Sequence, residues 1–513
     1  MPPRRPRSLV FAIDLGSSSV RTALFGESGA RLPATMATRH YAIRYSQDGG
    51  AELDPMLLLR ATRACMAETL RARSDSSVIR QVPIVAVSGS AFWHALLGVD
   101  RRDRPVTPVY TWADSRSAAD AAELRRQLDE REVQLATGCM LRAQFWPAKL
   151  RWLRRTNRTV FRSVARWTAP ASWIFSEIFG VGGSSDSMAS ATGFYNLANE
   201  SWDEEIVSLC HARVDQLDTI TNSAAPAKRL REFAEARIFT AIGDGAAGNL
   251  GSGADRASIV AINFGTTGAV RMVRSKASAR AHQLPFGLFR YVVDPQRVVI
   301  GGAISNGGNL REWCVRELHL PDEQQALSRS AAARDTSVVL PFLVSERAPD
   351  WPETLRGTVT GLTQTTTAAD LMRAAITSTY YRLADILELM VPNAALVNDV
   401  IVSGGILHSK PSLRILADCL GRDLRISREM ESSLRGAAVY ALNALGKEVP
   451  PPRACRLVRH DRALAAKHRQ RRADQRNLQS QLQQANLQKP HGRAPIPSRA
   501  HRSPRQVRRR SSG

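Results

Sequence analysis

The segment "SLVFAIDLGSSSVRTALF", residues 8–25, reads as an apolar strand, a turn of glycine and serine, and a second apolar strand. Residues 258–273, "SIVAINFGTTGAVRMV", repeat this plan 249 residues further along the chain. Short β-branched runs bounded by glycine or polar residues are typical of buried strands. The repeat predicts two related halves, each built around one such hairpin.

Both turns have the composition of an anion-binding loop. Glycine frees the backbone so that its N–H groups can face an anion, and neighbouring hydroxyls add donors. Asp14 is the only carboxylate in either turn, because the second turn has Asn263 at the matching position. One carboxylate beside phosphates suits a hydrated Mg²⁺ ion. A plain hairpin explains a single turn of this kind equally well, but the matched pair favours phosphate binding.

A third element, "VIVSGGILHSKPSLRILADCLG", occupies residues 400–421. It reads as a strand, then Gly404 and Gly405, then a helix that begins near Ser409 and ends at Gly421. Another helix is predicted after the capping-box pattern that starts at Thr367. Strands that alternate with helices in two similar halves predict an α/β protein with a cleft between two domains.

Length and composition limit the class of protein. A chain of 513 residues predicts two large domains. No uncharged apolar run reaches the ~18 residues of a membrane-spanning helix, and the basic start lacks the apolar region of a signal peptide. The six cysteines include no CxxC pair, which argues against a zinc site or a disulfide framework. We therefore expect a cytoplasmic protein.

The net charge of +24 is concentrated at the C-terminus. Residues 451–513 contain 17 Lys and Arg against two acids and so carry +15 of that charge. This stretch is rich in Gln, Arg, Pro and Ser and poor in large apolar groups, so we predict a disordered tail. A tether to RNA or to an anionic surface is one role for it. A solvated extension with no part in the chemistry is the other.

Residues 242–253, "IGDGAAGNLGSG", place five glycines around one carboxylate, Asp244. We predict a loop of small residues that lets a ligand come close to this acid. An aspartate that only shapes a tight turn is the alternative. The loop precedes the turn at Gly265 by 21 residues, which favours a role beside bound phosphates.

These motifs together resemble a known superfamily. "FAIDLGSSSVRTALF", "INFGTTGAVRMV" and "SGGILHSKPSLRILADCLG" resemble the phosphate-1, phosphate-2 and adenosine motifs of the actin-like ATPases. "TWADSR", "GDGAAGNLGSG", "GGAISNGGNLREW" and "ERAPDW" resemble the FGGY family of carbohydrate kinases, with gluconate kinases the nearest likeness. The match runs from about residue 9 to 446.

The resemblance implies two ribonuclease-H-like domains that close on ATP and a polyol or sugar acid. The expected organisation is a basic stub at 1–8, an N-terminal domain at 9–245, a C-terminal domain at 246–450 and the disordered tail at 451–513.

The resemblance also assigns roles to residues. Asp244 matches the catalytic base, which takes the proton of the attacking hydroxyl. Asp14 would hold the water shell of Mg²⁺. The expected ATP contacts are Gly16, Ser17 and Ser18 in the first turn, Gly265, Thr266 and Thr267 in the second, and Gly404 and Gly405 beside the adenosine.

The expected substrate contacts, besides Asp244, are His94, Trp112, Asp114 and Arg116. An aromatic face beside a carboxylate and an arginine suits a polyhydroxy acid. The sequence departs from the family at Trp93, where related kinases have Met before His, which puts the shape of the pocket in question. Arg116 as an ion pair at a helix start and His94 as a core histidine are the alternatives.

Two further residues have no settled role. Lys149 matches a frequent family lysine, but a solvated lysine explains it equally well. Asp186, in "DSMASATGFYN", is interpreted as part of a domain-packing element.

The predicted function is transfer of the γ-phosphate of ATP, with Mg²⁺, to D-gluconate or a similar sugar acid. Kinases for another sugar or polyol, such as xylulose, ribulose or glycerol, are the nearest alternative, and an actin-like ATPase regulator without kinase activity is a third. The expected partner is the small-molecule substrate, with no membrane and with nucleic acid bound only through the tail, if at all. Whether the chain forms a homodimer is left open.

Overall fold

The computed structural model describes residues 6–320, 327, 337–393, 396–452 and 456–488. The elements up to residue 243 are β1 (Leu9–Leu15), β2 (Ser19–Gly26), β3 (Ala37–His40), β4 (Arg44–Tyr45), β5 (Ala51–Leu53), α1 (Pro55–Asp75), β6 (Ile84–Ala91), β7 (Leu97–Val99), β8 (Val109–Tyr110), α2 (Ala118–Gln127), α3 (Glu130–Thr137), α4 (Trp146–Thr156), α5 (Arg158–Ser163), β9 (Arg166–Thr168), α6 (Pro170–Phe179), α7 (Asp186–Ala189), β10 (Tyr195–Asn196), β11 (Ser201–Trp202), α8 (Glu204–Leu209), β12 (Ala225–Pro226), β13 (Arg237–Ile238) and β14 (Ile242–Gly243).

The elements that follow are α9 (Asp244–Ser252), β15 (Ile259–Phe264), β16 (Gly268–Ser275), α10 (Lys276–Arg280), β17 (Phe289–Asp294), β18 (Arg297–Ile304), α11 (Gly308–Glu317), β19 (Val338–Leu340), β20 (Thr358–Thr360), α12 (Ala368–Met390), β21 (Asp399–Ser403), α13 (Lys410–Leu420), β22 (Leu424–Ile426), α14 (Ser432–Ala444), β23 (Arg456–Val458) and α15 (Arg462–Gln488). Short 3₁₀ turns occupy Val214–Gln216, Arg231–Phe233 and Gly405–His408.

Two large sheets share one topology. In the first sheet the strand order is β12-β13-β6-β1-β2-β3, and in the second it is β17-β18-β16-β15-β21-β22-β23. In each, the first hairpin is antiparallel and its first strand pairs in parallel with a later strand, β6 or β21. β1 is buried along its whole length, as its continuous apolar run predicts. The predicted α/β class and the two related halves are confirmed.

The predicted helix limits are also confirmed. The side chain of Thr367 accepts a hydrogen bond from the Asp370 backbone N–H, and the Asp370 carboxylate accepts one in return from the Thr367 backbone N–H. Ser409 caps the start of α13 and Gly421 ends it in the left-handed conformation. In the described ranges, every helix is too short or too polar to be a transmembrane segment.

The glycine-rich stretch is a helix, and the predicted loop at 242–253 is wrong. Helix α9 begins at Asp244 and ends at Gly253, and it packs closely against α14. A Cβ on Gly251 would lie 1.8 Å from the carbonyl oxygen of Ser432, and a Cβ on Gly436 would lie 1.8 Å from that of Ala247. The small residues therefore allow two helices to touch through their backbones, a requirement that local sequence does not reveal.

The prediction of disorder from residue 451 is wrong for Arg456–Gln488. β23 pairs antiparallel with β22, and α15 packs against α12, α13 and β19. Helix α15 buries Gln475 and Gln479, whose amides bond to the domain, and Arg476 pairs with Asp385 at 2.6 Å. Its docking thus relies on polar groups that composition alone assigns to solvent. Residues 489–513, the rest of the predicted tail, lie outside the described residues.

Candidate active site

A cavity lies where the two halves meet. Its wall includes residues from the first turn, from the strand end after β6, from the start of α9, from the second hairpin, from β17 and from residues 347–351. The lining residues used below are Ser17, Trp93, His94, Trp112, Gln144, Asp244, Asn263, Thr267, Arg271, Phe289, Tyr291, Arg347, Ala348 and Trp351.

Among the residues that the structure describes, Asp244 is the only acidic one that lines this cavity. It is the first residue of α9, and its Oδ1 accepts a hydrogen bond from the Gly245 backbone N–H at 2.7 Å. Burial in the cleft raises the pKa of Asp244, whereas the positive charge of Arg271 lowers it. A carboxylate at such a position is suited to take a proton from an alcohol.

Aromatic side chains form the wall beside Asp244. The rings of Phe289 and Tyr291 stack with centroids 4.5 Å apart, and Trp93 meets Tyr291 edge-on at 5.0 Å. A Cβ on Gly243 would lie 1.8 Å from the Trp93 ring, and one on Gly245 would lie 2.3 Å from it. These two glycines therefore make room for Trp93, the residue that departs from the family pattern.

His94 lines the cavity as predicted. Its Nδ1 lies 2.6 Å from the carbonyl oxygen of Ala191, and burial lowers the pKa of His94 to about 3, which keeps the ring neutral.

Lys149 is buried behind His94 and donates to the carbonyl oxygens of His94, Thr111 and Gln144 at 2.9, 2.8 and 2.8 Å. Burial lowers the pKa of Lys149 to about 7. The interpretation of Lys149 as a solvated side chain is wrong.

The structure brings Trp112 to the cavity but not Asp114 or Arg116. Arg116 donates to Asp114 at 2.5 Å and to Glu52 at 2.7 Å, and its guanidinium stacks on Trp152. Asp114 also accepts a hydrogen bond from the backbone N–H of Ala51. The ion-pair alternative holds for Arg116, and the pair anchors the segment that carries Trp112. Asp186 likewise lies outside the cavity lining, with its carboxylate bonded to Asn222.

Two arginines that sequence reasoning did not propose as site residues line the cavity. Arg271 lies on β16, and its buried Nε has no hydrogen-bond partner among the described residues. Arg347 donates from Nε to Ser305 Oγ at 3.1 Å and from Nη2 to the carbonyl oxygen of Ile304 at 2.9 Å. Arg271 had a signal in the sequence, because it follows the second turn much as Arg21 follows the first. Arg347 lies within the family-like stretch "ERAPDW", residues 346–351, but sequence reasoning assigned it no role.

The two turns face this cavity from opposite halves, with Ser17 from the first and Thr267 from the second in its lining. The second turn is supported on two sides. The Gly308 backbone N–H, at the start of α11, donates to the carbonyl oxygen of Gly265 at 2.8 Å. Gly404, with φ of 92°, and Gly405 pass directly against residues 264 and 265. The structure thus places the predicted adenosine glycines beside the second turn.

Asp14 is buried below the first turn, and its carboxylate lies 3.3 Å from Arg21, which also pairs with Glu431 at 3.2 Å. Burial raises the pKa of Asp14 to about 6. No group of three or more His, Cys, Asp or Glu residues suited to a metal occurs in the part of the chain that the structure describes. A Mg²⁺ ion that keeps its waters and arrives with phosphates needs only one or two carboxylates, so Asp14 fits that role.

Two related α/β halves, with a small-residue turn from each half and one carboxylate in the cleft, form an arrangement suited to the transfer of a phosphoryl group to an alcohol. The model of the FGGY family of carbohydrate kinases, N-terminal domain, matches residues 9–251, and that of its C-terminal domain matches residues 260–445. The chain belongs to the FGGY family of carbohydrate kinases. It is a phosphotransferase with an alcohol group as acceptor.

Relatives act on different sugars. A gluconokinase of Bacillus subtilis is 25% identical over 467 residues, covering 86% of this chain and 88% of its own length. A xylulose kinase of Staphylococcus xylosus is 22% identical over 458 residues, covering 86% and 91%. The crystal structure of a gluconate kinase from Lactobacillus acidophilus matches with a TM-score of 0.83 and 22% identity, over 93% of this chain and 98% of that one.

Proposed function

We propose that this kinase transfers the γ-phosphate of ATP to a hydroxyl of a sugar acid, with D-gluconate as substrate and 6-phosphogluconate as product. The observation that carries the proposal is the pair Arg271 and Arg347 in the cavity that holds Asp244. An arginine whose Nε is buried without a partner favours a ligand that brings a carboxylate. Asp244 offsets part of the positive charge of the two arginines, and a sugar acid would bring a second negative charge that a neutral sugar or polyol lacks.

Asp244 acts as the base in this proposal. It orients the acceptor hydroxyl and takes its proton as the hydroxyl oxygen bonds to the γ-phosphorus and the bond from that phosphorus to the bridging oxygen of ADP breaks. Because its pKa is raised, Asp244 binds a proton at a pH closer to neutral than a solvated aspartate does. The gluconokinases among the relatives support a sugar acid as the acceptor.

The nucleotide would lie between the two turns. Gly16, Ser17 and Ser18 would contact its phosphates from one half, and Thr266 and Thr267 from the other. A Cβ on Gly265 would meet nothing within 4 Å, so packing does not require glycine there and space for a ligand is open. Mg²⁺ held near Asp14 would supply neutralising charge to the phosphates.

The substrate's carbon chain would lie against Phe289 and Tyr291, whose apolar faces suit C–H groups. His94, neutral because of its low pKa, can exchange hydrogen bonds with hydroxyls without adding charge. The carboxylate would reach Arg271, with Arg347 beside it. Arg347 is already held by Ile304 and Ser305, which fixes its position before substrate arrives.

The test is ADP release measured with gluconate, xylulose, ribulose and glycerol, for the wild type and for Arg271→Gln. We expect release with gluconate, and an increase in KM of about 10–100-fold in the variant, the size expected for a lost charge-assisted bond. Arg274→Gln is the matched control. Arg274 lies on the opposite face of the same strand and bonds to the carbonyl oxygen of Met390.

Release with xylulose or ribulose but not with gluconate would favour the alternative sugar kinase, which the xylulose kinase relative supports. Release that no sugar stimulates would favour an ATPase regulator. An equal KM change in Arg274→Gln would mean that Arg271 acts only through the fold.

A further inference from the structure

Residues 346–351, here called the 346–351 segment, contribute Arg347, Ala348 and Trp351 to the cavity wall. On its inner side the segment is tied to β18 and to the loop before β17. The Ala348 backbone N–H donates to the carbonyl oxygen of Ala303 at 3.1 Å, and Trp351 Nε1 donates to that of Gly287 at 2.9 Å. Glu346, at the start of the segment, is buried and accepts a hydrogen bond from Asn306 Nδ2 at 3.1 Å, so these contacts tie the segment to the strand and loop beside the cavity.

The outer side of the segment is held by Arg382 of α12. The Arg382 side chain is buried, with 2% of its surface exposed, and it forms an ion pair with Asp350. Its Nη2 also donates to the carbonyl oxygen of Ala348 at 3.3 Å. A buried guanidinium needs such partners, because an unpaired charge in the interior is costly.

The C-terminal helix α15 completes this network. The Oε1 atom of Gln479 accepts a hydrogen bond from Arg382 Nη1 at 2.9 Å, and its Nε2 donates to Asp350. Gln479 is buried, with 3% of its surface exposed, whereas the side chain of Asp350 is 42% exposed. One amide therefore joins a buried cation to a carboxylate that could otherwise turn towards water.

Apolar contacts place α15 on both sides of the segment. Leu340 and Phe342, which precede it, and Leu355, which follows it, form a small core that is separate from the main one. Leu478 and Leu482 of α15 pack against that core. The helix therefore covers the two ends of the segment as well as its centre.

We propose that Gln479 is a positioning residue for the active site: it helps Arg382 to hold Asp350 and so adds outer support to the 346–351 segment, which carries Arg347 and Trp351 in the cavity wall. The part of the inference that concerns the substrate rests on the proposed function. The consequence is that substrate affinity depends on a residue of the C-terminal helix that does not line the cavity.

The first test needs no substrate. Hydrogen exchange of the full chain is followed by mass spectrometry for Gln479→Ala and for the control His468→Ala. His468 lies 11 residues earlier on the same helix, about 16 Å away along its axis, and bonds to Tyr381 at 2.9 Å. We expect exchange in peptides spanning 343–356 to be about tenfold faster in Gln479→Ala and unchanged in His468→Ala.

The second test measures KM and kcat with whichever sugar the substrate screen identifies. Gln479→Ala should raise KM for the sugar about five- to tenfold, with KM for ATP unchanged, because the segment that carries Arg347 and Trp351 loses its outer support and is held only from the side of β18 and Gly287. His468→Ala should lower the unfolding temperature without changing either KM.

Unchanged exchange at 343–356 in Gln479→Ala would overturn the proposal, whatever the substrate proves to be. So would an equal KM change in both variants, which would show that any weakening of the helix has this effect. If gluconate stimulates no ADP release while hydrogen exchange at 343–356 changes as expected, the proposed substrate is wrong and the role of Gln479 still holds.

Discussion

The two hairpin turns have the same fold but differ in charge. Below the first turn, Asp14 is a buried carboxylate that faces Arg21 across the strand pair. At the matching place in the second half, Asn263 donates from Nδ2 to Ser403 Oγ at 3.1 Å and carries no charge. The repeated fold thus supplies two similar backbones, and at this position they differ by the exchange of a carboxylate oxygen for an amide nitrogen.

The register of the hairpins differs as well. Arg21 pairs with Asp14, but Arg271 pairs with Ala261, so no carboxylate neutralises it within its own hairpin. In the first half, Arg21 forms an ion pair with Asp14, whereas in the second half Arg271 lines the cavity. We expect the first turn to serve the metal ion and the second half to serve the nucleotide and the acidic substrate.

The largest expected effect is at Asp244, which lies between the two turns and belongs to neither. Asp244→Asn should lower kcat by about 10³–10⁴-fold, because the amide cannot accept the proton of the attacking hydroxyl. ADP release measures the rate, and a thermal unfolding curve checks that the fold is kept. Turnover within tenfold of the wild type would show that Asp244 is not the base.

Making the first turn resemble the second should have the next largest effect. Asp14→Asn should lower kcat about 100-fold and raise the Mg²⁺ concentration needed for half-maximal rate, because the charge that holds the hydrated ion is removed. Rates measured across a magnesium titration check this. An unchanged magnesium requirement would show that Asp14 does not hold the ion.

The reverse exchange should have a smaller effect. Asn263→Asp places a carboxylate in the neutral turn, and its repulsion of the triphosphate should raise KM for ATP about tenfold, with a weaker effect at high salt. Ser403→Ala is the matched control, since it breaks the same Asn263 hydrogen bond without adding charge. If both variants change KM equally, geometry and not charge distinguishes the turns.

The smallest effect concerns stability. Burial raises the pKa of Asp14 from 3.8 to about 6, so the folded state binds more protons than the unfolded state between these values. Stability contributed by this group is therefore lost as pH rises from about 4 to 6, by at most about 3 kcal/mol. Asp14→Asn should raise the unfolding temperature by a few degrees at about pH 7.5 and by nothing at about pH 4.

Unfolding curves of the ligand-free protein at the two pH values test this expectation. Asp215→Asn, at an exposed aspartate, is the control and should show no such difference between pH values. A lower unfolding temperature for Asp14→Asn at neutral pH would show that its pairing with Arg21 outweighs the cost of burial.

Sequence reasoning could propose the parts of the candidate site that lie within one continuous motif. Asp14, Asp244 and the glycines of the turns were proposed because their neighbours in the chain are also their neighbours in space. Asp114 and Arg116 were placed wrongly, since an arginine two residues from an aspartate satisfies it locally, with Glu52 as the third partner. Arg347 lies in the family-like stretch "ERAPDW", but its place in the cavity wall could not be predicted, because it depends on how the 346–351 segment packs against β18.

The amino-acid pattern by itself determined the α/β class, the repeated hairpins, the helix caps and the acid at the centre of the site. Those features depend on interactions between residues close in sequence, where propensity and spacing are informative. Only the tertiary structure decided that residues 244–252 are a helix, that Trp93 occupies the space beside Gly243 and that Arg456–Gln488 are ordered. Each of these depends on a distant partner, Ser432, Gly243 or Arg382, that makes room for the chain or satisfies its polar groups.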